Sequence, residues 1–163
     1  MSRLFFTKNV VLVSFLLSLV ILFSACNKLD VYEKNSSIPQ YKWQQTMQPS
    51  FEFSIEDTSA AYMIYVVLRH ADAYRYNNIW LNIGTQFPGD SIRYQRFEIP
   101  LGNDAKGWDG MGMDDIWEIR KAISNGPIKL SRKGLYKFSV AQIMRENPLE
   151  HIMSVGMRVE RVK

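Results

Sequence analysis

Residues 102–115 carry the densest run of chemistry-bearing side chains. Asp104, Asp109, Asp114, Asp115 and Asn103 stand among Gly102, Gly107, Gly110 and Gly112, with Trp108 in the middle. Carboxylate and amide oxygens in one loop are the donors calcium takes, but the spacing departs from the EF-hand loop and Lys106 opposes a cation. Trp108 among glycines suits a second chemistry, stacking on a sugar ring or inserting into a protein partner. The same ring could instead fold back to cap the domain. Trp108, Asp109, Asp114 and Asp115 are the candidate partner- or glycan-binding residues. Tyr74, Tyr76 and Trp80, near Arg69 and Arg75, form a second cluster, for which cross-strand packing with arginines over rings is a sufficient account. His70 and His151 are the only histidines, and neither sits where several ligands converge on a metal. There is no Gly-x-Ser-x-Gly motif and no glycine-rich phosphate loop leading into a helix. No catalytic residue, metal or cofactor is expected. A hydrolase with acidic catalysis in the glycine loop is a further reading that these residues leave open.

The only cysteine, Cys26, has a different chemistry. Arg3 and Lys8 precede an apolar stretch from Val10 to Phe23, then Ser24-Ala25-Cys26. A positive start, an apolar run and small residues before a cut define a secretory signal, and the run is shorter than the roughly 20 residues of a spanning helix. Phe23-Ser24-Ala25-Cys26 resembles the lipobox of bacterial lipoproteins, in which the cysteine thiol is acylated and becomes the first mature residue. Phe23 stands where Leu is more usual. Residues 1–25 are thus a lipoprotein signal peptide and Cys26 the lipidation site. Once Arg3 and Lys8 leave, the 20 basic residues fall to 18 against 16 acidic ones. That balance gives no basic face for nucleic acid. With Cys26 used, no disulfide is available, and stability must come from burial.

Residues 27–50 are polar and broken by Ser36, Ser37, Pro39 and Pro49; as a coil they would span about 25–30 Å. Val31, Tyr32, Ile38, Tyr41 and Trp43 could lie along the domain. The chain divides into a tether, residues 26–48, partly extended along a domain of residues 49–163. There, Phe51, Phe53 and Ile55 alternate with polar residues, as do Ile79, Leu81 and Ile83, then Phe97, Ile99 and Leu101, then Tyr136, Phe138 and Val140, then Val155, Met157 and Val159. Tyr62 to Leu68 is apolar on both faces, as a central strand is. Pro88-Gly89-Asp90 turns a hairpin. Residues 114–123 fit strand or helix and are taken as strand, and Ala141 to Glu146 is expected to make one helical turn before Asn147-Pro148. The pattern predicts an all-β fold, an antiparallel β-sandwich of seven or eight strands with at most one short helix. Jelly-roll and immunoglobulin-like wiring stay open.

Several stretches together resemble the gliding-motility lipoprotein GldH family. They are Tyr32-Glu33-Lys34-Asn35, Phe51-x-Phe53-x-Ile55, Leu68-Arg69-His70, Asn78-Ile79-Trp80-Leu81, Gly110-x-Gly112-x-Asp114-Asp115-Ile116, Met144-Arg145-Glu146-Asn147-Pro148-Leu149 and Val155-Gly156-Met157-Arg158-Val159-Glu160. The resemblance implies an accessory, non-enzymatic component of the gliding machinery. Its partners would be the membrane, through acylated Cys26, and other envelope lipoproteins or gliding and secretion subunits. Asn27-Lys28-Leu29-Asp30 lacks an aspartate at the second mature position and lacks an acidic run. By analogy this implies the outer membrane, facing the periplasm. A carbohydrate-binding envelope module is the alternative.

Overall fold

The computed structural model describes residues 31–162, so Cys26 and the signal segment lie outside the described residues. In chain order the strands are β1 (Val31–Ser37), β2 (Lys42–Trp43), β3 (Ser50–Ile55), β4 (Ala61–Ala71), β5 (Asn78–Gln86), β6 (Arg93–Pro100), β7 (Gly102–Asn103), β8 (Gly107–Trp108), β9 (Met111–Met113), β10 (Ile116–Ala122), β11 (Ile128–Lys129), β12 (Gly134–Gln142), β13 (Leu149–Glu150) and β14 (Ile152–Val162). One sheet has the order β1-β14-β4-β10-β9, with β11 beside β4, and the other β3-β12-β5-β6. This is the all-β antiparallel sandwich. Counting only the eight longest strands in chain order, the sheets read 1-8-3-6 and 2-7-4-5. That is jelly-roll wiring, and it decides between the two topologies.

The core follows from two-residue periodicity. In β3, Phe51, Phe53 and Ile55 are buried while Ser50, Glu52 and Ser54 are exposed. Ile79, Leu81 and Ile83 of β5, Tyr136, Phe138 and Val140 of β12, and Val155, Met157 and Val159 of β14 join them between the sheets. Phe53 stacks on Tyr136 and Phe138 at 5.7 and 5.6 Å. The outer face of the larger sheet is closed differently. Arg158 pairs with Glu33 and Glu160, Arg120 with Glu33 and Glu118, and Arg69 with Glu118. This ladder crosses β1, β14, β4 and β10 above Val67, which is buried although it lies on the outward side.

The N-terminal segment is built into the domain from Val31 onward. β1 pairs with β14 along its full length, Ile38 is buried, and Trp43 is wholly enclosed with its indole N–H donating to the Met47 carbonyl. Among the described residues the only helical element is the short 3-10 turn Pro39–Tyr41. The helical turn expected over Ala141 to Glu146 does not form. Val140, Ala141 and Gln142 stay on the ladder opposite Ile83, Asn82 and Leu81. The buried Gln142 side chain then accepts from the Met144 N–H and donates to the Trp43 and Glu146 carbonyls. Asn147 Oδ1 accepts the Gln45 N–H, and Gln45 reaches back to the Met144 carbonyl. The Met144–Leu149 run is thus a clamp on residues 43–47. Residues 116–122 are strand, as expected, paired with β4 from Ala71 to Tyr65.

The registers sort the connections onto two poles. The segments after β1, β4, β6 and β12 meet at one, the loop pole. The turns 56–60, 87–92 and 123–133 meet at the other, with Val31 and Val162; this is the terminal pole.

Candidate functional site

The loop pole holds the residues singled out from sequence. Trp108 lies in β8, where its strand pairs so closely with Gly102 that a Cβ there would meet the Gly107 carbonyl oxygen at 2.4 Å. Its ring is half-buried, edge-on to His70 at 4.6 Å. The indole N–H donates to Asp72 Oδ1 at 2.9 Å, and the Trp117 N–H donates to the same oxygen at 3.2 Å. The Asp72 N–H donates to the Asp115 carbonyl. Trp108 therefore closes one end of the sandwich. Asp109 pairs with Lys121 at 2.7 Å, while Asp114 and Asp115 form the exposed tip between β9 and β10, Asp114 at φ +53°. The acidic groups do not converge: among the described residues no three of His, Cys, Asp and Glu group to hold a metal.

His70 is a buried titratable group at this pole. Its Nδ1 donates to the Ala71 carbonyl at 3.0 Å, which sets the tautomer and leaves Nε2 without a partner among the described residues. Burial pushes its pKa below the ordinary 6.5, with the Ala71 carbonyl and Asp72 opposing. The unfolded chain therefore binds more protons below pH 6.5, and stability must fall as pH drops from 6.5 toward the depressed native value. His70→Leu is expected to flatten that part of the melting temperature–pH profile. An unchanged acid slope in the variant would assign the loss to other groups.

A second feature of this pole is a groove of about 610 Å³ on the outer side of the smaller sheet. Trp80 and Asn78 of β5 and Arg96 of β6 form one wall; Tyr76, Ile143, Met144 and Arg145 form the rest. Trp80 is 39% exposed and Tyr76 37%. The Tyr76 hydroxyl donates to Glu146, which also pairs with Arg75 at 3.9 Å. Arg96 and Arg145 carry no ion pair among the described residues. Tyr74 is not part of it: the ring is buried, its hydroxyl donates to the Asn78 carbonyl, and burial raises its pKa. The cluster expected from sequence includes Tyr76 and Trp80 but not Arg96, and the Arg145–Leu149 turn reads from sequence as a weak binding site. Alternation places Arg96 outward two residues from Glu98, Trp80's pairing partner, but no local signal brings 143–145 alongside.

The features together define a jelly-roll domain with an exposed aromatic and cationic groove on its loop pole. The GldH lipoprotein family model matches residues 30–159. A gliding motility lipoprotein GldH homolog of Christiangramia forsetii is 30% identical over 149 residues, covering 87% of this chain and 90% of that relative. The gliding motility lipoprotein GldH of Flavobacterium johnsoniae is 29% identical, covering 90% and 93%. This chain belongs to the GldH lipoprotein family. A chain of infectious bursal disease virus aligns over 80% of this chain and 30% of its own length at 13% identity and a TM-score of 0.33, too distant to bear on function.

Proposed function

We propose that the protein is a non-enzymatic, lipid-anchored assembly partner within a gliding machinery. Acylation of Cys26 after removal of residues 1–25 would hold it at the outer membrane, facing the periplasm. Family membership supports the lipoprotein and gliding parts of this reading. The observation that carries the partner role is the groove, where exposed aromatic rings and two arginines without an ion pair among the described residues offer recognition chemistry. Tyrosine, tryptophan and arginine are the residues on which binding energy concentrates at protein interfaces. Anchoring raises the effective concentration of such a surface near other envelope proteins without adding contacts. The exposed Asp114 and Asp115 tip is a further contact on the same pole.

Trp80→Ala with Arg145→Glu is expected to leave a folded, membrane-bound protein that no longer supports gliding. Wild-type spreading by gliding cells carrying only the double variant would remove the groove from the account. The exposed Trp80 and Tyr76 rings also suit a sugar ring, so a glycan array with Trp80→Ala as control separates the carbohydrate-binding alternative. Trp108, committed to Asp72 and His70, is less available for that role.

A further inference from the structure

The terminal pole carries an exposed apolar patch of its own. Phe87, Ile92, Tyr94 and Leu135 are 38%, 41%, 56% and 43% exposed. Phe87 leans on Tyr136 at 5.2 Å and stays open on its other side. Ile92 and Tyr94 lie side by side over Gly84, where an added Cβ would meet both at 2.8 Å. The terminal pole also carries Arg93 at the start of β6, Lys129 in β11, Arg132 and Lys133 before β12 and Arg161 near the end of β14, against Glu56, Asp57 and Asp90 in its turns. Arg132 pairs with Asp90 and Arg161 with Asp57. Arg93, Lys129 and Lys133 carry no ion pair among the described residues.

The chain leading to this pole is short. Residues 27–30 separate Cys26 from Val31, the first residue of β1. Fully extended, five steps reach about 17 Å, less than the coil expected of residues 27–50. A lipid on Cys26 therefore keeps Val31, at one edge of the terminal pole, within that distance of the bilayer surface. We infer that this pole is a membrane-contact surface, with the apolar patch entering the headgroup region and the unpaired lysines and Arg93 meeting anionic phospholipid. Aromatic rings with a polar tip settle at the headgroup level, and basic side chains beside an anionic surface add attraction. The domain then stands with its strands steeply inclined to the membrane and presents the Trp80 groove and the 102–115 loop away from it. The inference rests on acylation of Cys26 as proposed above.

The lone cysteine makes the test direct, because acylation blocks it and an introduced thiol can be labelled alone. Ile92→Cys, Leu135→Cys and Ala105→Cys, each in the acylated full-length chain, are labelled with a polarity-sensitive fluorophore. They are then reconstituted in vesicles of phosphatidylethanolamine and phosphatidylglycerol containing quencher-bearing lipid. Probes at 92 and 135 are expected to shift blue and to be quenched several-fold more than the probe at 105. Omitting phosphatidylglycerol, or introducing Lys129→Glu with Lys133→Glu, is expected to weaken that quenching. Vesicle-bound protein whose probes at 92 and 135 are quenched no more than the one at 105 overturns the membrane-contact surface while leaving anchoring intact. Protein that floats free of vesicles overturns the anchor and, with it, this inference.

Discussion

Phe138→Asp is expected to abolish cooperative folding. Phe138 is 2% exposed, sits mid-way along β12 and is paired on both sides, with Phe51 of β3 and Thr85 of β5. Losing the ring from a packed core costs about 3–5 kcal/mol. A carboxylate put in its place has no partner among Phe53, Tyr136 and Val140, so it must be buried charged or neutralised at further cost. A domain of this size has a total of about 5–15 kcal/mol. Lys137→Ala, one residue away on the exposed side and paired only with Glu52 at 2.6 Å, is expected to change stability by about 0.5 kcal/mol or less. Thermal melting of the two variants checks the inner-face assignment of β12. Equal melting temperatures for Phe138→Asp and wild type would mean the strand register is wrong.

Cys26→Ala is expected to give a folded protein in the wrong place. Each acyl methylene buried in a bilayer contributes about 0.8 kcal/mol, and stable anchoring takes two chains or one chain with a basic patch. Without the lipid only the patch at the terminal pole is left, which gives weak and reversible association at most. The variant should appear in the soluble envelope fraction with an unchanged melting temperature, and gliding should fail because the local concentration gained by tethering is lost. Full gliding from soluble Cys26→Ala protein would end the tethering mechanism.

Much of the fold was legible because alternation is a local signal. Phe51–Ile55, Ile79–Ile83, Tyr136–Val140 and Val155–Val159 each declare a buried side within one strand, and the structure buries those sides. Residues 116–122 were harder, since Ile116, Ile119 and Ile123 fit a helical face equally well. Pairing with β4, a distant segment, makes them strand. The wiring was not readable, because alternation marks an inward face but not a neighbour. Ala141–Glu146 misled for the same reason. Its composition allows a helical turn, yet the β5 ladder and the Gln142 bonds to Trp43 and Met144 hold the backbone extended and then bent. At the site, sequence named Trp108 and left it between anchor and cap. The Asp72 carboxylate that pins it lies 36 positions away, which spacing within the loop cannot reveal. The groove shows the same limit: two of its rings are close in sequence, but its arginines arrive from β6 and from the turn after β12.

Whether the anchored domain holds a partner at the groove on its loop pole is tested by a photoreactive amino acid placed at Trp80 in intact gliding cells, with Glu118 on the ion-paired outer face of the other sheet as the comparison site. Captured neighbours are identified by mass spectrometry. A defined set of envelope proteins, other motility lipoproteins or secretion subunits, is expected to crosslink from Trp80 and not from Glu118. Identical capture from both positions, or capture of glycan alone from Trp80, would contradict it.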